Sequence, residues 1–186
     1  MEARYQLRQC PESVSTLPDG YPVRQLGSVT TRYAEPVEQA SQVNLPAGYE
    51  FSTDPARLDP EKVHYLLHSY AYWAANRTRQ TQDAAIAKSR NYGVYALPSQ
   101  QQVAYARIVT DEITFAWLAD VIVDPEHRGR GLARGLIAGV VADLEPLCLK
   151  RIVLKASDEG RHLYEQFGWE PVDNPDSWME LRTHAA

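Results

Sequence analysis

Val121-Ile122-Val123-Asp124-Pro125-Glu126-His127-Arg128-Gly129-Arg130-Gly131-Leu132-Ala133 is the stretch whose reading decides the fold. An apolar strand runs into a turn with two glycines, and the turn opens directly into a helix. The first amides of a helix have no partner inside it and the dipole is positive at that end, so phosphate binds there. Glycine at 129 and 131 lets a ligand reach backbone that a Cβ would hold off. Arg128 and Arg130 add charge-assisted donors. Two other phosphate-binding turns fit less well. A nucleotide P-loop needs Gly-Lys followed by Ser or Thr, which is missing. A dinucleotide fingerprint needs glycine where Arg134 stands and an acidic residue where Lys155 stands. The bland alternative is a glycine turn that only lets the helix pack closely.

Working outward, Leu132, Leu136, Val140 and Leu144, with Ala133, Ile137 and Val141 alongside, form a wide apolar stripe that Pro146 ends. Upstream, Tyr92 to Leu97, Val103 to Val109 and Phe115 to Val123 read as three strands with turn-forming links at Pro98-Ser99 and Thr110-Asp111-Glu112. Such short links predict an antiparallel meander. Earlier still, Tyr49 to Thr53 is a short strand. Asp59-Pro60 opens a helix with Val63, Leu66 and Leu67 on one face, and a second helix over Thr81 to Ser89 buries Ala84, Ala85 and Ile86. Downstream, Arg151 to Lys155 is a strand, Gly160 to Phe167 a helix ending at Gly168, and Trp169 to Val172 and Trp178 to Leu181 closing strands. The order predicts an α/β (α+β mixed) fold with a mixed sheet.

The chain has 186 residues, enough for one core and an appendage. Residues 1 to 48 carry five prolines and no sustained helical period, and they read as an N-terminal extension beside a domain over 49 to 186. Within the extension, Tyr21 to Ala34 alternates well enough for a strand or two. It is either a loop-rich arm packed on the core, or a lid or homodimer contact. No apolar run approaches the roughly 20 residues of a membrane span, and the N-terminus lacks a secretory stretch, so a soluble cytoplasmic protein with no membrane partner is expected. Cys10 and Cys148 support neither a disulfide framework nor a zinc site, and the histidines at 64, 68, 127, 162 and 184 form no metal set. The net charge of -5 argues against a nucleic-acid partner. Arg128, Arg130 and Arg134 nevertheless form a local cluster that suits a small polyanion.

Arg128-x-x-Gly131-x-Ala133 resembles the acetyl-CoA pyrophosphate signature of the GNAT superfamily of N-acetyltransferases. Ser69 to Ala74, Ala104 to Asp111, Leu118 to Val121, Leu163 to Trp169, Asn174-Pro175 and Trp178 to Glu180 extend the likeness to a group of bacterial GNAT proteins, over Tyr49 to Leu181. The resemblance implies a mostly antiparallel sheet with a splayed parallel pair, flanked by helices, and acetyl-CoA as co-substrate with no metal. Backbone groups of Val121, Ile122 and Val123 would pair with pantetheine like an added strand. Amides from Gly129, Arg130, Gly131, Leu132, Ala133 and Arg134 would surround the pyrophosphate, and Ser157 would touch the cofactor again.

By the same resemblance, Tyr164 stands where these enzymes commonly place a general acid for the departing thiolate, a role a phenol suits because it keeps its proton at neutral pH. The other reading is a buried aromatic with a structurally satisfied hydroxyl. Some relatives carry a Glu on the strand before the glycine turn. Here that region is Ala116-Trp117-Leu118-Ala119-Asp120, so Asp120 is its one carboxylate, open to use as base, as cation anchor or as an acceptor fixing the sheet edge. Water could replace it as proton acceptor. Similar proteins often have histidine where Arg161 stands, which removes a histidine-dependent contact. Tyr72, Trp73, Arg77 and Arg107 are candidates for the acceptor pocket, with aromatics packing on an amine and Arg orienting a carboxylate. The expected reaction is direct acetyl transfer to the primary amine of a small molecule. Acetylation of a protein or peptide amine and a non-catalytic acyl-CoA-binding regulatory module stand as alternatives.

Overall fold

The computed structural model describes residues 15–16, 22–23 and 43–182. Most of the N-terminal extension, including the greater part of Tyr21 to Ala34, lies outside the described residues. Its two short strands, β1 (Ser15–Thr16) and β2 (Pro22–Val23), pair antiparallel. The chain divides into a larger compact unit ending at Lys155 and a smaller one containing residues 156–186.

The larger unit is built on a five-stranded sheet in the order β3 (Tyr49–Ser52), β4 (Arg90–Ala96), β5 (Gln101–Thr110), β6 (Phe115–Val123) and β7 (Arg151–Leu154). The first four are antiparallel neighbours, as the short links require, and β6 and β7 are parallel. Pairing of β6 with β7 runs only from Phe115 opposite Arg151 to Leu118 opposite Leu154. From Ala119 to Val123, β6 has β5 on one edge and, among the described residues, no strand on the other. This is the mixed sheet with a splayed parallel pair expected from the resemblance.

Helix α1 (Pro60–Tyr70) starts where Asp59 accepts from the Lys62 amide and Pro60 sets the first turn, and it buries Val63, Leu66 and Leu67. These side chains pack with Ala71, Ala74, Tyr105 and Ile122. Helix α3 (Leu132–Leu144) covers the other face. Side chains alternate along a strand and cross-strand partners share a face, so Phe51, Val94 and Tyr92 lie with Ala104 and Ala106 under α3, while Tyr105 faces α1. A Cβ at Gly139 of α3 would run into the Phe51 ring, and one at Gly135 into Leu45. Those glycines let the helix lie close on the sheet.

Four expectations are corrected. Helix α2 covers Arg79–Ala87, capped by the Thr78 side chain, and its one buried residue is Gln82; Ala84 is exposed. Ile86, one turn on from Gln82, is partly buried against the α1 core as expected, and the apolar period missed only the polar member of that stripe, Gln82, whose Oε1 accepts from Arg77. In the smaller unit, Ser157 caps α4 (Asp158–Glu165), which therefore starts before Gly160. Trp169 to Val172 and Trp178 to Leu181 are not strands: Pro171 removes a ladder donor, and a short 3-10 turn, Pro175–Ser177, follows Asn174 in the left-handed region. Cys148, read as unpaired, is disulfide-bonded. The chain's one other cysteine, Cys10, lies outside the described residues.

Candidate active site

At the end of β6, Asp124 accepts from the Glu126 amide at 3.1 Å and opens a 3-10 turn, Pro125–His127. Its other carboxylate oxygen accepts from Lys62 Nζ of α1 at 2.6 Å. Burial works to raise the Asp124 carboxyl, but the bonds from Lys62 and the Glu126 amide outweigh it and hold the group below its usual range. The chain then passes Gly129 at φ 74° and Gly131 at φ 78°, where a side chain would be strained. Gly131 is the N-cap of α3 and offers no side-chain cap. The first helical bond runs from the Gly135 amide to the Gly131 carbonyl, which leaves the amides of Leu132, Ala133 and Arg134 without an intrahelical partner.

Space and charge both favour an anion here. A Cβ built at Gly129 or Gly131 meets nothing within 4 Å. Arg128, Arg130 and Arg134 are exposed or nearly so, and none is in an ion pair among the described residues. Arg128 Nε donates to the Val123 carbonyl at 3.1 Å. Arg130 donates to Tyr49 Oη at 2.8 Å and to the Glu126 carbonyl at 3.2 Å. Tyr49 Oη also lies 2.9 Å from His127 Nδ1, so β3 is tied to the turn through one phenol. Open backbone, orphan amides and uncompensated arginines fit a pyrophosphate group. The unpaired edge of Val121, Ile122 and Val123 lies beside them.

At the other end of that free edge, β6 carries a bulge. Arg107 of β5 stands opposite Ala119 and Tyr105 opposite Ile122, so β6 spends one residue more than β5 over this interval, and Asp120 has φ 54°. In plain alternation Asp120 would point away from Arg107. The bulge instead turns its carboxylate onto the α1 face, where Oδ2 accepts from Arg107 Nε at 2.6 Å and from Arg77 Nη1 at 2.6 Å. Oδ1 accepts from Arg77 Nη2 and from Trp73 Nε1, each at 3.2 Å. Burial acts to raise this carboxyl, yet the hydrogen bonds and charges of Arg77 and Arg107 prevail and depress it.

Trp73, Arg77 and Arg107, grouped from sequence as acceptor-pocket candidates, and Asp120, read apart from them, thus form one cluster. Arg77 also donates to Gln82 Oε1 at 2.7 Å and Arg107 to Ser89 Oγ at 3.2 Å. Tyr72 is 77% exposed and meets Trp73 edge-to-face with centroids 5.1 Å apart. In the smaller unit, Ser157 Oγ accepts from the Gly160 amide at 3.2 Å. Burial alone pushes the Tyr164 phenol above its ordinary value, and its ring meets Trp169 edge-to-face. Among the described residues, no three His, Cys, Asp or Glu side chains are grouped to hold a metal ion. Sequence reasoning missed Tyr49, Lys62 and Gln82. Asp124-Pro125 carries a capping signal, but the contacts of Tyr49 with Arg130 and of Lys62 with Asp124, 81 and 62 positions apart, leave no local trace.

The family model described as the acetyltransferase (GNAT) domain matches residues 58–180. A protein of Gibberella zeae classed as an acetyltransferase is 29% identical over 134 residues, covering 62% of this chain and 75% of its own. An uncharacterized N-acetyltransferase of Prochlorococcus marinus is 28% identical over 121 residues, covering 63% and 67%. The crystal structure of a Xanthomonas campestris pv. campestris protein classed in the GNAT family superposes with a TM-score of 0.69 at 36% identity, over 75% of this chain and 96% of that one. With the family model spanning most of the sheet and the glycine turn, this chain belongs to the GNAT family of acetyltransferases.

Proposed function

We propose that the chain transfers the acetyl group of acetyl-CoA to the primary amine of a small molecule, by direct attack in a ternary complex. The observation that carries this reading is the β6-turn-α3 unit, with open glycines, three unpaired arginines and a free strand edge leading away from them. Acetyl-CoA supplies an activated thioester. The amides of residues 129–134 hold its pyrophosphate, and Val121, Ile122 and Val123 bind its pantetheine arm as an added strand. Ser157, already the N-cap of α4, and Tyr164 come to this site on the family resemblance. The raised Tyr164 phenol keeps its proton at neutral pH and gives it to the departing thiolate.

Asp120 takes the role of anchor in this mechanism. A depressed carboxyl that already accepts four hydrogen bonds has little basicity left for an ammonium proton. That proton leaves through water. The same observation favours a second reading, a regulatory module that binds acyl-CoA without turnover. Calorimetry with CoA, followed by thiol release from acetyl-CoA over a panel of amines, separates the two. Binding with thiol release that Tyr164→Phe slows supports the enzyme. Binding without release on any amine supports the module, and no binding removes both.

A further inference from the structure

The Asp120 cluster holds more positive charge than it needs. Two guanidinium groups surround one carboxylate, and among the described residues no other carboxylate pairs with Arg77 or Arg107. Neither group is sealed: the side chains are 19% and 15% exposed, against 2% for Asp120. Their donors are only partly used. A guanidinium carries five N–H groups. Arg107 places Nε on Asp120 and Nη1 on Ser89, leaving Nη2 with no partner among the described residues. Arg77 uses Nη1 and Nη2 on Asp120 and Gln82 and leaves Nε.

Location gives this surplus a use. With pyrophosphate at the turn and pantetheine along Val121 to Val123, the far end of the arm comes to the bulge at Asp120. The acceptor amine must therefore arrive beside Arg107 and Arg77. A guanidinium held rigid by a buried carboxylate, with a free Nη2, is an oriented receptor for a second anionic group. A polycationic amine would meet repulsion at the same place.

Resting on the reading proposed above, we infer that the acceptor is a primary amine that also carries an anionic oxygen group, carboxylate or phosphate, and that Arg107 is the residue selecting it. Arg77 supports the same contact from the segment after α1. The exposed Tyr72 and Trp73 flank it and pack on the carbon skeleton of the acceptor.

Four short amines test this on the full chain: β-alanine, phosphoethanolamine, ethanolamine and putrescine, with thiol release as readout. The expected result is a kcat/KM for β-alanine or phosphoethanolamine about 10- to 100-fold above that for ethanolamine, with putrescine lowest. Which of the first two leads distinguishes carboxylate from phosphate. Arg107→Met should erase the preference mainly through KM, Arg107→Lys should restore part of it, and CoA affinity by calorimetry should not change in either. Equal or better use of ethanolamine or putrescine overturns the inference, as does a preference that survives Arg107→Met. CoA binding with no turnover of either anionic amine also overturns it. If Arg107→Met does not fold, the wild-type ranking and Arg107→Lys decide. Failure of the wild type to bind CoA is a different result and sinks the parent reading instead.

Discussion

Asp120→Asn keeps the shape of the buried acceptor and removes its charge. The wild-type side chain is 2% exposed and accepts four hydrogen bonds, three of them from guanidinium groups. An asparagine oxygen can keep two of these, but its NH2 group must then face a guanidinium donor. Removing one partner of a fully buried pair costs about 3–5 kcal/mol. Arg77 and Arg107 keep some access to water, which lowers the expectation to about 2–4 kcal/mol. For a chain of this length that is a fall in Tm of roughly 4–16 °C. The pH dependence follows from the depressed carboxyl. Its stabilisation is fully present above the unfolded value of about 3.9 and is lost as pH falls through the lower folded value. The gap between wild type and variant should therefore be flat from about pH 5 to 8 and close below about pH 4. Thermal denaturation across that range, with CoA calorimetry at neutral pH, is the assay. A variant as stable as wild type at pH 7 would refute the locked anchor. Intact stability with a turnover loss of about 10²-fold or more would restore Asp120 as general base.

Three further outcomes are expected. Gly131→Glu should abolish CoA binding in a protein with native circular dichroism, because the new carboxylate occupies the phosphate position, and Gly131→Ala should cost only the φ 78° strain of about 1–2 kcal/mol; wild-type affinity in Gly131→Glu would move the site elsewhere. Lys62→Met should leave Asp124 half-capped, lower stability by about 1–3 kcal/mol and weaken CoA several-fold by loosening the turn, with unchanged Kd and Tm as the refuting result. Gly139→Val drives a side chain into the Phe51 ring and should cost about 1–3 kcal/mol in chemical denaturation, and an unchanged midpoint would mean α3 lies farther from the sheet than described.

What could be read before folding was local. Asp59-Pro60, the period of α3 and the links after Leu97 and Val109 each place their signal within a few residues, and the corresponding elements form there. The glycine turn proposed to hold phosphate is local too, since the glycines, the arginines and the helix start are contiguous. The Asp120 cluster was legible only as parts. Trp73, Arg77 and Arg107 read as one candidate pocket and Asp120 as a separate carboxylate, but their union depends on a register between β5 and β6 and on a loop from α1, and neither is written in one segment. Tyr49 reaching Arg130 across 81 positions is the same kind of fact. The helical period found Ile86 but not Gln82, a polar residue on the same buried stripe beside Arg77, and the expected closing strands failed where Pro171 offers no donor.

The extra residue in β6 also changes the phase of the strand. Ahead of it, the even positions Ala116 and Leu118 pair with Thr110 and Ile108 on the α3 side; beyond it, Ile122 pairs with Tyr105 and turns toward α1. A strand of unbroken period would force one inward pattern on both stretches, so a change that suited the stretch beside β7 would dictate which side chains the free stretch showed. With the slip in place, the two behave as separate strands joined end to end. The stretch that closes the sheet can be tuned for packing, and the open stretch for what it binds, without either setting the other's alternation.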